Sequence, residues 1–205
     1  LPAKTYLKEH QEEMLAAYNS KLFDEMWDKY ACGNYSSWEM AALGMYYHEH
    51  ELAYVDTKIY DIVPFNSLNT QPQVEKYFKK GNNKIPIFKL NRIMGTVITK
   101  DDAHSSISVL TVDSGVITVK MNRDYFAMYN RRISEVQPDG SKKIIEQGWF
   151  QKGTLVVLNG IRRGDSFFLK SYKSAKNKSH QLYKITKVYP DGLIDMTNQR
   201  AGEEE

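Results

Sequence analysis

The chain has few of the features that mark a secreted, membrane-bound or disulfide-stabilised protein. Its 205 residues include one cysteine, Cys32, which excludes an internal disulfide and any zinc site built from several cysteines. No apolar run approaches the roughly 18 residues that a membrane-spanning helix needs. The N-terminus lacks the apolar segment of a secretory signal, and the missing initiator Met predicts a fragment of a longer chain. A single cysteine favours a reducing compartment, so we expect a cytoplasmic protein.

The sequence also lacks a recognisable catalytic or cofactor-binding motif. GxSxG, the phosphate-binding P-loop and GxGxxG are all absent. His48 and His50 are two residues apart, whereas the helical HExxH zinc motif places its histidines four apart on one face. Asp101-Asp102 is typical of a solvated turn between strands. We therefore expect no metal, no cofactor and no catalytic residue in this chain.

Charge is divided unevenly along the chain. Residues 1–60 carry five Lys and Arg against ten Asp and Glu, a net charge of −5. Residues 76–188 carry 22 Lys and Arg against eight Asp and Glu, a net charge of +14. A strongly basic half favours a polyanionic partner, with nucleic acid the first candidate, although it is also compatible with a solvated surface.

The first third of the chain has a helical pattern followed by turn-forming residues. Apolar residues at spacings of three and four predict a helix over residues 5–31. Ser36 and Glu39 have the spacing of a capping box, which predicts a second helix. Residues 61–89 hold three prolines and several Asn and Gly residues, all typical of turns. We therefore predict a helical segment over 1–60 and a connector over 61–89.

From residue 90 the apolar pattern changes to the two-residue period of strands. Three strands, a short helix and two more strands are predicted over residues 92–99, 106–112, 116–121, 122–129, 155–162 and 166–170, with one or two further strands over 181–196. This is the order of the OB-fold, a Greek-key barrel that binds oligonucleotides, although other small barrels share it. The predicted fold is therefore α+β, with an OB-fold barrel of five to seven strands over 90–196 and a disordered acidic tail over 197–205.

Basic and aromatic residues alternate along the predicted barrel, and this combination is typical of single-strand binding. Lys and Arg contact phosphates, and exposed rings stack on bases at ~1–3 kcal/mol each. Phe167 and Phe168 are neighbours on one strand, so they face opposite ways and one of them is expected in the core. The candidate nucleic-acid-binding residues are Lys100, Lys120, Arg123, Arg131, Arg132, Arg162, Arg163, Phe167, Lys170, Tyr172, Lys173 and Lys176.

Several segments resemble the C-terminal region of bacterial replicative DNA polymerase III α subunits. In that family an acidic residue, Leu-Gly and an aromatic residue precede a run ending in Gly-His-Pro-Leu or Gly-His-Pro-Ile. Residues 38–52, WEMAALGMYYHEHEL, are similar, with Glu49 and Glu51 in place of the Gly and Pro. Residues 92–97, 115–120 and 160–165 are similar to segments of the OB domain that follows. The resemblance covers roughly residues 38–190.

The resemblance implies a piece of a DNA-directed DNA polymerase, a nucleotidyltransferase of DNA replication, from a bacterium or a phage. The family's catalytic aspartates, histidine-rich PHP domain and tandem helix-hairpin-helix elements lie upstream, so this piece is expected to be non-catalytic. Its OB domain is expected to bind the single-stranded template ahead of the active site. The implied partners are single-stranded DNA and the rest of the polymerase chain, with no membrane.

The same family carries a short clamp-binding peptide of the form Gln-x-x-Leu-Phe near its OB domain. Asn19, Leu22 and Phe23 have this spacing, with Asn in the Gln position. The resemblance therefore implies a sliding clamp as a further partner, bound by two apolar anchors beside a hydrogen-bonding amide. Leu22 also lies on the apolar stripe of the predicted helix, which gives it an alternative, purely structural role.

Two other functions remain open from the sequence. The barrel could serve only to pack against other domains or accessory subunits, or it could bind RNA as a tRNA- or ribosome-associated factor does. Strong salt dependence of binding distinguishes nucleic-acid binding from packing. A preference for DNA over RNA distinguishes the first function from the last, because RNA-specific sites use the 2′-hydroxyl.

Overall fold

Helices occupy most of the first 42 residues, as the spacing of the apolar residues predicts. In the computed structural model, which describes residues 3–30, 35–172 and 181–201, α1 spans Ala3–Glu9, α2 spans Gln11–Tyr30 and α3 spans Tyr35–Ala42. Residues 1–49 form one structural unit and residues 50–205 form another. None of the helices in the described residues is long and apolar enough to cross a membrane.

A buried carboxylate organises the turn that follows α3. Glu39 accepts hydrogen bonds from the backbone N–H groups of Tyr47 at 2.9 Å and His48 at 3.0 Å, and from Nδ1 of His48 at 2.6 Å. These hydrogen bonds, led by that of the His48 N–H, lower the pKa of Glu39 because they stabilise its charged form. The helical segment predicted to continue to residue 60 therefore ends at residue 42, and a turn follows it.

In the described residues of the second unit, the structure has eleven strands and one α-helix. The strands are β1 (Val74–Lys80), β2 (Asn83–Phe88), β3 (Asn91–Asp101), β4 (Ser106–Thr111), β5 (Gly115–Lys120), β6 (Ile133–Val136), β7 (Lys142–Glu146), β8 (Leu155–Arg163), β9 (Ser166–Leu169), β10 (Leu182–Val188) and β11 (Ile194–Thr197). Helix α4 spans Arg123–Asn130 between β5 and β6. Asn122 caps it as expected, its Oδ1 accepting a hydrogen bond of 2.8 Å from the N–H of Asp124.

Five of these strands close into an OB-like barrel, which confirms the predicted fold class. The closed order is β3-β4-β5-β9-β8, with β8 returning to pair with β3. All pairs are antiparallel except β5–β9, which is parallel. β10 and β11 extend the sheet beyond β8, and β1–β2 and β6–β7 form separate two-stranded ribbons. Helix α4 lies in sequence between the third and fourth barrel strands, as in the predicted order.

The barrel strands bury side chains on two sides. The barrel interior holds residues such as Val97, Val109, Val119, Leu158 and Phe167. A second cluster covers the outer face of β3 and β8, where Met94 and Val157 meet residues from β10, β11 and residues 52–62. Because β8 is buried on both faces, its residues 155–158 are four consecutive apolar residues without the usual alternation.

Two glycines allow neighbouring strands of the barrel to approach closely. A Cβ on Gly160 would lie 2.1 Å from the carbonyl oxygen of Phe168, and one on Gly95 would lie 2.4 Å from that of Leu110. The sequence suggests a bulge or bend at Gly95, but the register shift in β3 falls two residues later, between Val97 and Thr99. Gly95 therefore serves close packing of the strands and not the bulge.

The predicted connector is part of the folded second unit. Phe65, in a short 3-10 helix over Phe65–Ser67, is buried in the barrel interior, and residues 74–88 form the β1–β2 hairpin. Leu52 and Val55, predicted within the helical segment, pack in the cluster outside the barrel. The prolines and asparagines that predict a connector here form turns within a packed domain.

The predicted disorder from residue 197 is wrong for the residues that the structure describes there. The Arg200 side chain is buried, and its guanidinium donates to Glu146 Oε2 at 3.1 Å and to the carbonyl oxygens of Met128, Arg131 and Gln147. A buried arginine with this many partners fixes its segment in place. Polar composition predicted disorder here because it does not reveal such a pairing.

Candidate nucleic-acid interface

Three cations and three aromatic rings alternate in one continuous row on the outside of the barrel. We call this set the cation–aromatic row; its members, in order, are Lys120, Phe168, Arg163, Phe88, Lys170 and Tyr172. The distances from cation to ring centre are 5.7 Å for Lys120 to Phe168, 5.5 Å for Arg163 to Phe168, 5.9 Å for Arg163 to Phe88, 5.1 Å for Lys170 to Phe88 and 5.5 Å for Lys170 to Tyr172. All fall within the ~6 Å over which a ring face attracts a cation.

Strand pairing explains how residues distant in sequence meet in this row. Lys120 at the end of β5 pairs with Phe168 in the parallel neighbour β9, and β9 in turn pairs with β8, which ends at Arg163. Alternation along β9 places Phe168 and Lys170 outward, while Phe167 and Leu169 point inward. The barrel therefore brings these side chains to one surface.

Phe88 is tied to the row by a hydrogen bond across the domain. Its backbone N–H donates to the hydroxyl oxygen of Tyr172 at 2.8 Å, which joins the end of β2 to the segment after β9. The N–H of Gly164 donates to the carbonyl oxygen of Thr70 at 2.8 Å, which fixes the β8–β9 turn to the segment that precedes β1. The first contact fixes the Tyr172 ring beside the end of β2, and the second fixes the turn next to Arg163.

Phe167 is not available to a ligand, although the sequence includes it among the candidates. Its ring is fully buried in the barrel interior and packs edge-on against Phe65, 6.5 Å between ring centres. A buried ring offers no face to a base, so this candidate is wrong for the structure described here. The half-buried neighbour Phe168 occupies the outward position, as the opposed directions of adjacent strand residues require.

Arg162 and Arg163 are neighbours with different environments. The Nη1 group of Arg162 donates to the carbonyl oxygens of Phe65 and Leu68, both at 3.0 Å, and its Nε donates to that of Gly164 at 2.8 Å. Its guanidinium also lies over the Phe65 ring at 4.3 Å. Arg162 therefore holds the 65–68 turn against the barrel, whereas Arg163 is exposed and belongs to the row. Both arginines are predicted to bind nucleic acid; the structure gives the Arg162 guanidinium intramolecular partners and leaves Arg163 as the candidate within the row.

The other predicted cations do not join the row. Lys100 donates to Oδ1 of Asn130 at 2.7 Å, at the C-terminal end of α4, and the exposed Arg131 and Arg132 follow directly. Arg123 begins the same helix and is exposed, roughly 10 Å along its axis from Asn130 at 1.5 Å per residue. Lys173 and Lys176 lie outside the described residues. Of the predicted set, the structure therefore brings together Lys120, Arg163, Lys170 and Tyr172.

Phe88 and Phe168 are the members of the row that the candidate residues did not include. Phe88 lies in the stretch predicted as a connector, where Gly81-Asn82 between two runs rich in Ile, Phe and Tyr was an available hairpin signal. The outward face of β4 and β5, where an OB-fold usually binds its ligand, carries Ser108, Leu110, Val116, Thr118 and Lys120 and no ring. The rings beside Lys120 lie instead on β9 and at the end of β2.

The histidines and acids considered for a metal site have separate partners. His48 contacts Glu39, whereas His50 accepts from the N–H of Leu52 at Nδ1 and contacts the carbonyl oxygen of Leu110 at 3.3 Å through Nε2. Asp101 accepts a hydrogen bond from the N–H of Ala103 in its own loop and another from Nδ1 of His104 at 2.7 Å. The His104 hydrogen bond lowers the pKa of the Asp101 carboxyl. Within the described parts of the chain, no three His, Cys, Asp or Glu side chains converge on one point.

The candidate clamp-binding residues lie in the middle of α2. Asn19, Leu22 and Phe23 are spaced three and four residues apart along this helix, so they share one face. Leu22 is 44% exposed and Phe23 is 62% exposed. Both apolar side chains are therefore accessible within the first unit.

The row combines the two kinds of contact that single-stranded nucleic acids offer. Its cations take part in none of the ion pairs found among the described residues, so their charge is available to phosphates. Its rings are half-buried, so part of each ring surface remains accessible to an unpaired base. Because the same rings are held by strand pairing and hydrogen bonds, binding would cost little side-chain ordering.

Comparison with known proteins gives a match over nearly the whole chain. The chain is 36% identical over 190 residues, 93% of its length, to the probable DNA polymerase YorL of Bacillus subtilis (strain 168). It is equally similar to the DNA-directed DNA polymerase of Bacillus phage SPbeta. The matched region is 14% of the length of each of these relatives, so the chain spans a small part of the curated proteins that it resembles. No family model matches the chain, and no solved structure matches it.

Proposed function

We propose that this chain is a non-catalytic segment of a longer DNA-directed DNA polymerase and that its OB-like barrel binds the single-stranded template. The observation that carries the proposal is the cation–aromatic row, which alternates phosphate-binding charges with base-stacking rings. The similarity to a small part of two DNA polymerases supports a role within a larger replication enzyme. Such an enzyme works in the cytoplasm of the bacterial or phage-infected cell.

We assign the parent enzyme to the polymerase III α type on the resemblance of residues 38–52 and of the barrel segments that follow. In that arrangement the polymerising aspartates belong to another part of the chain, and this segment guides the template toward them. The exposed apolar side chains of α2, such as Met14, Tyr18 and Met26, would pack against the rest of the polymerase. Leu22 and Phe23 on the same helix would bind a sliding clamp.

The test is fluorescence anisotropy of the chain with labelled oligo-dT, duplex DNA and single-stranded RNA over a range of salt. If the three cations of the row each neutralise one phosphate, log K falls against log salt with a slope of about −2, at ~0.7 per phosphate of a single strand. We expect tighter binding to oligo-dT than to either other ligand. Equal or tighter binding to RNA would favour an RNA-binding barrel, and no binding at low salt would favour a packing module.

The variant that tests the site is Arg163→Ala with Lys170→Ala. Removal of two phosphate contacts is expected to flatten the slope by about 1.4. The matched control is Lys58→Ala with Lys187→Ala, which removes the same charge from exposed positions outside the row; Lys187 lies over the ring of Tyr189 at 4.4 Å, an isolated pair of the same kind. Equal losses in the two double variants would show that net charge alone drives the binding.

A further inference from the structure

The β1–β2 hairpin extends from the barrel without burying any of its own first strand. Every residue of β1 is exposed, and β2 becomes half-buried only over Pro86–Phe88, where it reaches the row. Neither core cluster includes a residue of the hairpin. Tyr77 is 62% exposed and Phe78 is 58% exposed. Two-stranded ribbons are marginally stable by themselves, so an exposed ribbon with two free rings points to a ligand surface.

The hairpin is also strongly basic. Residues 74–89 hold five lysines against one glutamate, a net charge of +4 over 16 residues. None of these lysines takes part in the ion pairs found among the described residues. No carboxylate within the described residues neutralises them, which is the condition under which phosphate binding releases counterions and gains free energy.

Strand pairing assigns these side chains to two faces. Phe88 belongs to the row, and alternation along β2 places Pro86 and Lys84 on the same face as Phe88. Tyr77 is paired with Pro86, and Lys79 is paired with Lys84, so both share that face. The opposite face carries Lys76, Phe78 and Lys80. We call the first the row face and the second the far face.

Along the row face, rings come first and charges follow. From Phe88 the surface continues to Tyr77 beside Pro86, and then to Lys79 opposite Lys84. Like charges directly opposite each other destabilise a ribbon, and the cost is removed when an anion lies between them. Phe88 and Lys84 are four residues apart, about 13 Å at ~3.3 Å per strand residue.

We propose that the row face of the β1–β2 hairpin is the second half of the single-strand binding site. This proposal rests on the proposed function, because it continues the strand that the row binds. Tyr77 stacks on an unpaired base, and Lys79 and Lys84 hold a phosphate between them. The added length accommodates up to about four nucleotides at ~3.4 Å per nucleotide along a strand. The occupant is a single strand, because a base pair offers no free face to Tyr77.

The experiment measures the affinity of the full chain for labelled oligo-dT of increasing length, from about 4 to 16 nucleotides, the range of single-strand sites on OB-folds. Lys79→Ala with Lys84→Ala removes the one phosphate contact that the two lysines share, so it is expected to weaken binding of the longer oligonucleotides about five-fold at ~0.1 M salt and to flatten the salt slope by about 0.7. Tyr77→Ala is expected to weaken the same oligonucleotides at every salt concentration. Binding of the shortest oligonucleotides, which the row alone holds, is expected to be unchanged.

The far face of the same hairpin provides the matched controls. Lys76→Ala with Lys80→Ala removes the same charge from the same hairpin, and Phe78→Ala removes a similarly exposed ring. We expect both to bind like the unmodified chain at all lengths. Equal losses from the two faces, or equal weakening of duplex DNA by the row-face variants, would overturn the proposal in favour of unspecific charge attraction.

The outcome separates this proposal from the proposed function. If the row variant Arg163→Ala with Lys170→Ala weakens binding while the row-face variants do not, the barrel binds the strand and the hairpin proposal is wrong. If the row variant leaves the affinity unchanged at every length, the proposed function fails first. All hairpin variants change exposed side chains, and an unaltered thermal unfolding curve confirms that each retains the fold.

Discussion

Replacing Arg162 and Arg163 one at a time separates the structural role of one arginine from the binding role of the other. The two residues are adjacent, carry the same charge and end the same strand, so each is the control for the other. Arg162 is held by three carbonyl oxygens and by the Phe65 ring, whereas Arg163 is exposed in the cation–aromatic row. We therefore expect Arg163→Ala to weaken DNA binding and Arg162→Ala to lower the stability of the fold.

For Arg163→Ala the magnitude follows from one lost phosphate contact. A single-strand contact contributes about 0.7 to the salt slope, which corresponds to about five-fold in affinity at ~0.1 M salt. Because the side chain is exposed and makes no hydrogen bond to the backbone that the structure records in the described residues, the free energy of unfolding should change by less than about 0.5 kcal/mol.

For Arg162→Ala the loss is in stability. Phe65 and Leu68 would lose the charged donor that both carbonyl oxygens share, and a hydrogen bond to a charged group contributes about 1.5–3 kcal/mol. We expect a loss of about 2 kcal/mol, which lowers the melting temperature by about 4–8 °C in a domain of this size. The salt slope of DNA binding should be unchanged.

Thermal unfolding and oligo-dT anisotropy on both variants test this assignment. The reasoning is refuted if Arg162→Ala flattens the salt slope at full stability, or if Arg163→Ala lowers the melting temperature while binding normally. An Arg162→Lys variant adds a check, because a lysine keeps the charge but cannot reproduce the forked donation to two carbonyl oxygens.

Three further predictions concern the rest of the molecule. Burial lowers the pKa of His50, so the unfolded chain protonates this imidazole more readily than the folded chain does. The free energy of unfolding should therefore fall as pH drops below about 6.5. Urea unfolding at several pH values should show a smaller decrease for His50→Gln than for the unmodified chain. Gly160→Ala would place a methyl group against the Phe168 carbonyl oxygen and should destabilise the barrel by about 1–3 kcal/mol or more; a change within about 0.5 kcal/mol would mean that the strands separate freely there. Leu22→Ala with Phe23→Ala should abolish binding of the full chain to a sliding clamp without altering oligo-dT binding. Unchanged clamp binding would indicate that both side chains have a packing role instead.

Much of the barrel could be predicted because its signals are local. The two-residue alternation over 106–112 and 116–121, the Gly-containing turn between them and the cap at Asn122 each depend on residues close in sequence. The resemblance over residues 38–190 and the similarity to DNA polymerases point in the same direction. By contrast, the β1–β2 hairpin was missed because its exposed strands lack a buried face and therefore lack the alternation that identifies strands.

The sequence by itself determined the order of the barrel strands and of α4, the concentration of positive charge after residue 75 and the absence of a recognisable catalytic motif. These are properties of composition and short-range spacing. Tertiary structure alone decided which cations lie beside half-buried rings, because the closure of five strands turns Phe167 inward and brings Lys120, Phe168 and Phe88 together from three distant segments. It also assigned Arg162 to the fold and Arg163 to the surface, since two of the three carbonyl oxygens that bind Arg162 lie nearly a hundred residues away in the chain.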